Sequence, residues 1–425
     1  MSEKLDILEA VRNEYKQACE SLNLDPAVYE ILKDVERIIE VSIPVKMDDG
    51  STKVFKGYRS AHSLALGPSK GGIRFDRNVS ADEVKALSMM MSIKVALLNL
   101  PLGGGKGGVR VDPKKLSPRE LESLSRGYVR AMNEYLGEKI DIPAPDVNTN
   151  AKIMGYFIDE YINLNGSRQE LGTFTGKPLA LGGSLARDQA TGFGVALAIK
   201  YAYQRKDLDL KDKTFAIQGF GNVGYFAAKY LSDFGAKLIG VNVSDPRDKN
   251  GSSAIFLDQG FDVEELKNIR KEKGSVLSIE KEGVKRISNE EFFALNVDIL
   301  VPAALENAIT EDIARTIKAK LIAEGANGPT SPKAAFYLEE KGVLIIPDIL
   351  ANSGGVLVSH YEWIQNQIGY YFSYEQIKKK QEDDMVKALK EVFDMAEKTK
   401  VNLRKASFMK AIEKISQALE YRGRF

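Results

Sequence analysis

Lysines flanked by glycines are the side chains of this sequence best suited to chemistry. Lys70 lies in Gly67–Phe75 (GPSKGGIRF), and Lys106 lies in Gly103–Gly108 (GGGKGG). Neighbouring glycines leave the backbone of each lysine open to close approach by a ligand. Lysines that lie close together lower one another's pKa and attract anions. We therefore expect a site for a dicarboxylate substrate, in which one lysine stays near neutrality for proton transfer.

A third lysine, Lys94, lies in a predicted helix from Ala81 to about Leu98, which opens with a capping box at Ser80–Glu83. At about 100° per residue, Lys94 falls on the apolar face of this helix. A lysine on such a face either has a partner or extends its ammonium to water, and both interpretations stay open for Lys94 alone. The predicted apolar face also holds Leu87, Met90, Met91 and Leu98, and the predicted solvated face holds Lys85, Asp82, Ser88 and Ser92.

Acid–base work is expected to fall to lysine and aspartate, because the other usual groups are poorly placed. Asp146 lies in the proline-framed loop Ile142–Asn148 (IPAPDVN), which makes it the candidate proton-transfer partner. The two histidines, His62 and His360, are far apart and have no cysteine near them, so we expect no metal site. The sequence has no G-x-S-x-G motif. It also has Gly107 where a phosphate-binding P-loop needs Ser or Thr after its lysine.

Length and charge limit the possible functions. The 425 residues are too many for one typical core, so we expect two domains. Lys and Arg number 60 and Asp and Glu number 59, a net charge of +1 that argues against a nucleic-acid partner. The most apolar segment, Val84–Leu102, is interrupted by lysines, so we expect no membrane span. A single cysteine, Cys19, and no apolar signal core at the start favour a cytoplasmic location.

A glycine motif in the second half predicts a dinucleotide site. Gly219–Gly224 (GFGNVG) follows the predicted strand Lys213–Gln218 and precedes the predicted helix Tyr225–Phe234. In this fingerprint the first glycine allows a tight turn, and the second lets the backbone approach pyrophosphate. The third glycine lets helix and strand pack closely. The alternative is a plain strand–helix turn with no ligand.

The residues after the next predicted strand point to different coenzymes. Asp245 would accept hydrogen bonds from the adenosine ribose, which favours NAD. Arg247 and Lys249 follow at once and could hold the 2′-phosphate of NADP, or could form a solvated turn. The choice between NAD and NADP therefore stays open.

The second half has the pattern of an α/β fold with a doubly wound sheet. Short apolar runs alternate with helical stretches after Gly192, as expected of parallel strands covered on both faces. Ligands bind outside the carboxyl ends of such strands, so the loops there are expected to border the nicotinamide. The runs are Phe215–Gln218, Leu238–Val243, Val297–Val301, Leu321–Ala323 and Val343–Ile346, and the loops are Pro302–Asn307, Glu324–Asn327 and Pro347–Asp348.

The first half is predicted to mix helices with strands. Residues 1–40 have helical spacing, Gly103–Gly108 is predicted as a turn, and the chain past Ala351 is predicted to be helical. We expect this C-terminal part to pack on the first domain. The substrate-binding and oligomerisation domain is therefore assigned to residues 1–185, completed by 350–425, and the Rossmann domain to residues 186–349. Further predicted elements are the strands Val41–Met47 and Lys53–Leu66 and the helices Leu121–Tyr135 and Ala151–Ile162.

The motifs resemble those of the glutamate dehydrogenase family, within the Glu/Leu/Phe/Val dehydrogenase superfamily, in the same order along essentially the whole chain. A series of this kind is far more specific than any single motif. The matching segments are GPSKGGIRF (67–75), LPLGGGKGG (100–108), IPAPDVNT (142–149), GGSLARDQATGFG (182–194), GFGNVG (219–224), PAALENAIT (302–310), AEGANGP (323–329) and ANSGGVLVSHYEW (351–363).

The resemblance implies a role for each matching residue. Lys94 would bind the substrate α-carboxylate, and Lys70 with Ser359 would bind the distal carboxylate. Lys106 would activate water against the imine carbon, and Asp146 would pass protons to and from the substrate nitrogen. The implied cofactor-binding residues are Thr191, Gly219, Gly221, Asn222, Val223, Gly224, Asp245, Asn327 and Asn352.

The resemblance also implies an activity and an assembly. The activity would be reversible, NAD(P)-dependent oxidative deamination of L-glutamate to 2-oxoglutarate and ammonia, in a site between two domains of a homo-oligomer, commonly a hexamer. Met91 is a departure, because some members have Gln three residues before the α-carboxylate lysine. One alternative is a leucine- or phenylalanine-type dehydrogenase on the same fold, and Lys70 and Ser359 argue against it. The other is a non-catalytic nucleotide-sensing assembly protein, and Lys106 and Asp146 argue against that.

Overall fold

A computed structural model describes residues 7–166, 169–245 and 251–425, which form two compact units. Unit 1 comprises the chain up to Arg187 together with Val356–Lys378 and Lys405–Phe425. Unit 2 comprises Asp188–Gly355 and Lys379–Arg404. No helix among the described residues is both long and apolar enough to cross a membrane.

The division differs from the predicted domains over Lys379–Arg404, which groups with unit 2. Polar contacts explain the difference. Gln381 Nε2 donates to Ala190 O (2.6 Å), and Arg205 binds the carboxylates of Asp394 and Glu397 (both 2.7 Å). Helical periodicity predicts that a C-terminal segment is a helix, but it carries no information about which unit the helix joins.

The described part of unit 1 is built on one five-stranded sheet with the order β1-β2-β4-β3-β5. β3, β4 and β5 run parallel to one another, whereas β1 and β2 form an antiparallel hairpin whose β2 pairs with β4. The strands are β1 (Arg37–Lys46), β2 (Thr52–Ala61), β3 (Ser69–Asp76), β4 (Gly103–Arg110) and β5 (Asp141–Pro145).

Three predictions for unit 1 are wrong in detail. The predicted turn Gly103–Gly108 is the central strand β4, the loop at Ile142 begins inside β5, and helix gives way to strand β1 before residue 40. The glycines of β4 let the strand lie against its neighbours without side chains. A Cβ at Gly104 would lie 2.2 Å from Ser88 O, and a Cβ at Gly71 would lie 1.5 Å from Gly105 O. Only the tertiary contacts reveal this use of glycine, which otherwise disfavours strands.

The predicted helices are confirmed, including the helical C-terminal part. Their bounds match the predictions to within a few residues, as expected for boundaries assigned from sequence. The helices of the described chain are Ile7–Ser21, Pro26–Leu32, Ala81–Leu97, Pro118–Met132, Ala151–Leu164, Ala190–Gln204, Asn222–Asp233, Val263–Lys273, Asn289–Phe293, Glu311–Ala314, Pro332–Glu340, Asp348–Ala351, Gly354–Ile368, Tyr374–Thr399 and Leu403–Tyr421.

Two of the four residues predicted to be solvated on the helix Ala81–Leu97, Ser88 and Ser92, are buried, whereas Asp82 is exposed and Lys85 is partly exposed. Ser88 Oγ lies 2.9 Å from Ser60 Oγ, and Ser92 Oγ lies 2.8 Å from His62 Nδ1, all buried against the sheet. Burial lowers the pKa of His62 to about 4, so this histidine is a neutral packing group. The predicted apolar face is not a core face along the helix, because Leu87, Met90, Met91 and Lys94 are only partly buried; Leu98, just past the helix end, is buried.

Unit 2 contains the predicted doubly wound sheet, seven-stranded over the described residues, with the order β12-β11-β10-β6-β7-β8-β9. The five predicted strands run parallel and confirm the Rossmann-type fold. β8 and β9 extend one edge in antiparallel fashion and were not predicted. The strands are β6 (Thr214–Gln218), β7 (Lys237–Ser244), β8 (Ser252–Phe256), β9 (Lys285–Ile287), β10 (Ile299–Pro302), β11 (Leu321–Ala323) and β12 (Leu344–Ile346).

Candidate active site

Lys106 and Asp146 are in direct contact in unit 1. Lys106 projects from β4, and Asp146 follows β5 immediately, so the sheet brings the two residues together from distant parts of the sequence. Lys106 Nζ lies 2.6 Å from Asp146 Oδ2, and Lys106 is 6% exposed. Arg74, on the intervening strand β3, donates its Nε to the same Oδ2 at 2.9 Å. The carboxylate is therefore held between two cations.

The Glu83 carboxylate completes this cluster from the helix Ala81–Leu97. Arg74 donates an Nη1 hydrogen to Glu83 Oε1 at 2.5 Å. Ser80 Oγ still caps the helix by accepting from Glu83 N (3.2 Å). The predicted capping box therefore forms only through Ser80, because Arg74 engages the Glu83 side chain. The result is a line of alternating charges from Glu83 through Arg74 and Asp146 to Lys106.

Burial and neighbouring charges shift the pKa values of both members of this pair. Burial lowers the pKa of Lys106. The Asp146 carboxylate opposes that effect, and the Arg74 cation adds to it. Burial acts to raise the pKa of Asp146, but Lys106 and Arg74 outweigh it and bring the pKa to about 2. Asp146 is thus an ionised acceptor at neutral pH, beside an amine whose proton is held less tightly than usual.

Lys70 lies on β3 beside this pair and is almost completely buried. It faces Gly104 in the sheet register and is 1% exposed. Its Nζ donates to Thr175 Oγ1 at 2.6 Å and to Ile142 O at 3.5 Å, so both acceptors are neutral. Burial lowers the pKa of Lys70 to about 7; the Glu362 carboxylate opposes this, and nearby cations, Arg187 first, add to it. A buried lysine in this state has capacity to bind an anion.

Ser359 reaches the same region from the helix Gly354–Ile368. Ser359 is 3% exposed, and its Oγ accepts a hydrogen bond from Arg187 Nε at 3.1 Å. The Arg187 charge also acts to lower the pKa of Lys70, so Arg187 influences both residues predicted to bind the distal carboxylate. Lys94 lies in the last turn of the helix Ala81–Leu97, with its side chain partly buried. The lysines predicted at 70 and 106 thus sit on adjacent strands, with Lys94 on the helix that packs on β4.

The glycine loop of unit 2 has the geometry of a pyrophosphate cradle. Gly219 has a φ of +87°, and a Cβ there would lie 2.8 Å from the Ala304 Cβ, so only glycine makes this turn without strain. A Cβ at Gly224 would lie 1.8 Å from Gly219 O, which makes the close helix–strand approach depend on glycine. A Cβ at Gly221 would meet nothing within 4 Å. Open space therefore stands before the first N–H groups of the helix Asn222–Asp233, as an anion requires.

The other predicted cofactor residues also lie in unit 2. Asn222 Nδ2 donates to Asp188 O at 2.6 Å, and Thr191 lies in the first turn of the helix Ala190–Gln204. Asn352 Nδ2 donates to Asn327 Oδ1 at 3.0 Å, which ties together the two predicted residues of the nicotinamide side. Val223 is half-buried in the first turn of its helix. Asn222, Asn327 and Asn352 follow the parallel strands β6, β11 and β12, at the carboxyl edge of the sheet.

Asp245 directly follows β7, where the fingerprint places its acidic residue. Its backbone N donates to Gly251 O at 2.9 Å, and the residue is 7% exposed. Arg247 and Lys249, the cations that could favour NADP, lie outside the described residues. The position of Asp245 therefore agrees with the fingerprint. The choice between NAD and NADP stays a prediction.

Comparisons with known proteins agree with the geometry of both units. The model of the Glutamate/Leucine/Phenylalanine/Valine dehydrogenase family matches residues 182–423, and that of the Glu/Leu/Phe/Val dehydrogenase dimerisation domain matches residues 35–163. This chain belongs to the Glu/Leu/Phe/Val dehydrogenase family. The resemblance predicted from the motifs is confirmed.

Individual members of the family are similar over the whole chain. The NAD-specific glutamate dehydrogenase of Peptoniphilus asaccharolyticus is 52% identical over 423 residues, covering 100% of both chains. The crystal structure of glutamate dehydrogenase from the same organism aligns with a TM-score of 0.89 at 51% identity, covering 99% of this chain and 100% of that one. A Leu-bound form of the hetero-hexameric glutamate dehydrogenase from Thermus thermophilus aligns with a TM-score of 0.91 at 34% identity, covering 100% and 98%.

Sequence reasoning about this family member missed three residues of the candidate site. Arg74 stands four residues after Lys70 within a motif already singled out, and its alternation with Lys70 and Gly72 along β3 was a usable signal. Thr175 and Glu362 offered no such signal, because their partners are more than 100 residues away in sequence. Only the fold brings them to Lys70.

Replacing Arg74 with glutamine should shift the acidic limb of the pH–activity profile upward. Asp146 would lose one of its two cations, and an adjacent cation lowers a carboxyl pKa by roughly 1–3 units. A raised pKa means that Asp146 becomes protonated at a higher pH, so activity is lost earlier as the pH falls. When kcat/KM is measured from about pH 4 to pH 8, the variant should show an acidic limb, whereas the wild type, with an Asp146 pKa of about 2, should not. Glu83→Gln is the matched control, since it leaves the Arg74–Asp146 hydrogen bond in place; equal profiles for the two variants would contradict the assignment.

Proposed function

We propose that this chain is a glutamate dehydrogenase that interconverts L-glutamate with 2-oxoglutarate and ammonia, using NAD. The observation that carries the proposal is the buried Lys70, whose acceptors in the described part of the chain are neutral oxygens. A distal carboxylate of the substrate would supply the missing counter-ion. A leucine- or phenylalanine-type pocket would have no use for this lysine, because an uncompensated buried charge is strongly destabilising.

The proposed substrate site uses the residues of unit 1. Lys94 binds the α-carboxylate, and Lys70 with Ser359 binds the distal carboxylate. The side chain between them places the substrate α-carbon and nitrogen at the Lys106–Asp146 pair. Met91 lies partly buried one turn before Lys94, and it supplies no polar contact to the α-carboxylate.

The Lys106–Asp146 pair supports the proton transfers of oxidative deamination. A bound nicotinamide coenzyme would supply the hydride acceptor for the oxidation of the substrate α-carbon. Asp146, ionised at neutral pH, accepts a proton from the substrate amino group and returns it to departing ammonia. Lys106, with its lowered pKa, removes a proton from the water that adds to the imine carbon. Arg74 donates to Asp146 Oδ2 and so favours the ionised form of this carboxylate before it accepts the proton.

The glycine loop of unit 2 fits the proposed dinucleotide. The open space at Gly221 and the helix Asn222–Asp233 would hold the pyrophosphate, and Asp245 would accept the adenosine ribose hydroxyls. Asn327 and Asn352 would border the nicotinamide. The name of the similar Peptoniphilus enzyme, NAD-specific, supports NAD as the coenzyme.

Assembly and location are further parts of the proposal. A hexamer is favoured because the similar Thermus protein is hetero-hexameric, and we propose that this chain assembles with copies of itself. The single cysteine favours the cytoplasm. A non-catalytic assembly role is the rival, and the intact contact between Lys106 and Asp146 argues against it.

A direct assay tests the proposed reaction. The nicotinamide absorbance is followed with NADH and NADPH in parallel, offering either 2-oxoglutarate or 4-methyl-2-oxopentanoate, each with ammonia. We expect oxidation of NADH with 2-oxoglutarate, and much slower oxidation with the branched oxo acid. Activity with the branched acid alone would indicate a leucine-type enzyme, and no activity with either would favour the non-catalytic alternative.

A further inference from the structure

A buried ion pair in unit 1 has no part in the proposed proton transfers. Lys177 Nζ lies 2.8 Å from Glu362 Oε1, and the side chains of both residues are completely buried. The Glu362 carboxylate also accepts from Gly176 N at 2.7 Å and from Lys177 N at 3.3 Å. Lys177 Nζ donates in addition to Phe174 O at 2.5 Å. One carboxylate thus gathers three donors from a single short segment.

Stability alone is a poor explanation for this pair. Taking two charges out of water costs about as much free energy as their attraction returns, and well-packed apolar residues often serve a core equally well. A buried, fully hydrogen-bonded network does, however, fix the positions of the segments that it joins. The question is therefore which segments this pair joins.

The pair joins two segments, one that contacts Lys70 and one that carries Ser359, the residues proposed to bind the distal carboxylate. The segment Phe174–Lys177 carries Thr175, whose Oγ1 accepts the hydrogen bond from Lys70. The helix Gly354–Ile368 carries Glu362 three residues after Ser359, so the two side chains lie on one face of the helix. Thr175 N donates to Pro143 O (3.0 Å), which also fastens the segment to β5. Glu362 therefore binds the segment that carries Thr175, the hydrogen-bond partner of Lys70, to the helix that carries Ser359.

We propose that Glu362 and Lys177 are positioning residues that set the separation of Lys70 and Ser359, and with it the selection of substrates that carry a distal carboxylate. This inference rests on the proposed function and deepens it. The Glu362 charge also acts directly on Lys70, since it opposes the loss of the Lys70 proton that burial favours. Both effects favour a cationic Lys70 at a fixed place.

The Glu362→Gln variant tests the proposal through substrate selection. Its amide presents hydrogens where the carboxylate accepted them, so the segment Phe174–Lys177 loses part of its anchorage. The two substrates are 2-oxoglutarate and 2-oxopentanoate, which has the same chain length and no distal carboxylate. We expect KM for 2-oxoglutarate to rise at least about tenfold, with KM for 2-oxopentanoate, KM for NADH and kcat changed by less than about threefold.

A second variant separates positioning from loss of stability. Glu362→Gln leaves the Lys177 ammonium buried without its counter-ion and is expected to lower Tm. Combining it with Lys177→Met removes the second charge and should restore much of the Tm. The proposal requires that the double variant still discriminate poorly between the two oxo acids. Recovery of wild-type discrimination along with Tm would show that the pair is only structural and would overturn the proposal.

Glu160→Gln is the matched control within unit 1. Glu160 is 7% exposed, and its carboxylate is bound by Arg126 and Arg130. Its loss should lower Tm without changing discrimination. The wild-type chain is measured first, because a failure to prefer 2-oxoglutarate over 2-oxopentanoate would refute the proposed function itself. If the wild type does prefer 2-oxoglutarate and both Glu362 variants keep that preference, only the positioning proposal fails.

Discussion

Replacing Lys106 with alanine is expected to lower the turnover of 2-oxoglutarate with ammonia by roughly 10²- to 10⁴-fold, the usual contribution of a positioned acid–base group. The variant would keep Asp146 and its hydrogen bond to Arg74, so no buried carboxylate is left without a cation. Folding should therefore survive. The glycine loop lies in unit 2, so binding of NADH should be unchanged.

The measurements for this variant are kcat from nicotinamide absorbance and NADH affinity from fluorescence titration. Lys85→Ala is the control, because Lys85 is a less buried lysine of the same unit and its ammonium pairs with Asp82 at 3.3 Å. The control should keep wild-type turnover. Near-normal turnover in Lys106→Ala, with NADH still bound, would remove Lys106 from the reaction and leave the proposed mechanism without its base.

The pH dependence of the wild-type reaction rate gives a second test of the role of Lys106. Burial lowers the pKa of Lys106, and only the neutral amine can take a proton from water. Oxidative deamination should therefore speed up as the pH rises through this lowered pKa, and the limb should be absent from the residual activity of Lys106→Ala. The acidic limb belongs to Asp146, whose pKa of about 2 keeps it ionised over the working range.

Local patterns were enough to predict the nucleotide loop. Strand, glycine turn and helix follow one another along the chain, so the role of each glycine depends on its immediate neighbours. The φ of Gly219 and the close approach of Gly224 to the Gly219 carbonyl agree with those roles. Local patterns do not decide the role of Arg247 and Lys249, because the sequence of a polar turn does not show whether the turn binds a phosphate or only water.

The sequence was enough to predict which residues belong to the candidate site, but not how these residues are arranged in space. Lys70, Lys106 and Asp146 could be identified because charged residues among glycines and prolines are unusual. Their arrangement could not be predicted, because a run of glycines indicates a turn, whereas the glycines of β4 lie against β3 and the helix Ala81–Leu97. The same close contact buries Ser88, which helical periodicity assigned to solvent. The glycines of β4 let the neighbouring helix pack closely on the strand and bury a polar residue, which the hydrophobicity of the sequence does not predict.

Replacing Lys70 with leucine is expected to convert the preference of the enzyme from a dicarboxylic to an apolar oxo acid. Leaving a buried charge without its partner costs roughly 3–5 kcal/mol, so kcat/KM for 2-oxoglutarate should fall by about two to nearly four orders of magnitude. Activity with 4-methyl-2-oxopentanoate should rise relative to it. Tm should hold or increase, because the variant no longer buries an ammonium with neutral acceptors.

The pH dependence of substrate affinity separates the charge of Lys70 from its size. The pKa of about 7 means that Lys70 is a cation below that pH and increasingly neutral above it. Since only the cation binds the distal carboxylate, kcat/KM for 2-oxoglutarate should fall above about pH 7, by up to about tenfold per pH unit. A bound carboxylate would raise the Lys70 pKa, so kcat should depend less on pH.

A comparison of two substrates and a comparison of two variants test the role of the Lys70 charge. With 2-oxopentanoate the wild type should lack the limb near pH 7, and Lys70→Leu should lack it with either substrate. Lys85→Leu controls for the loss of a lysine elsewhere in unit 1 and should behave as wild type. A Lys70→Leu variant that still prefers 2-oxoglutarate, and keeps the limb, would show that another group binds the distal carboxylate. The buried lysine would then need a different explanation, and so would the choice of glutamate over leucine as the substrate.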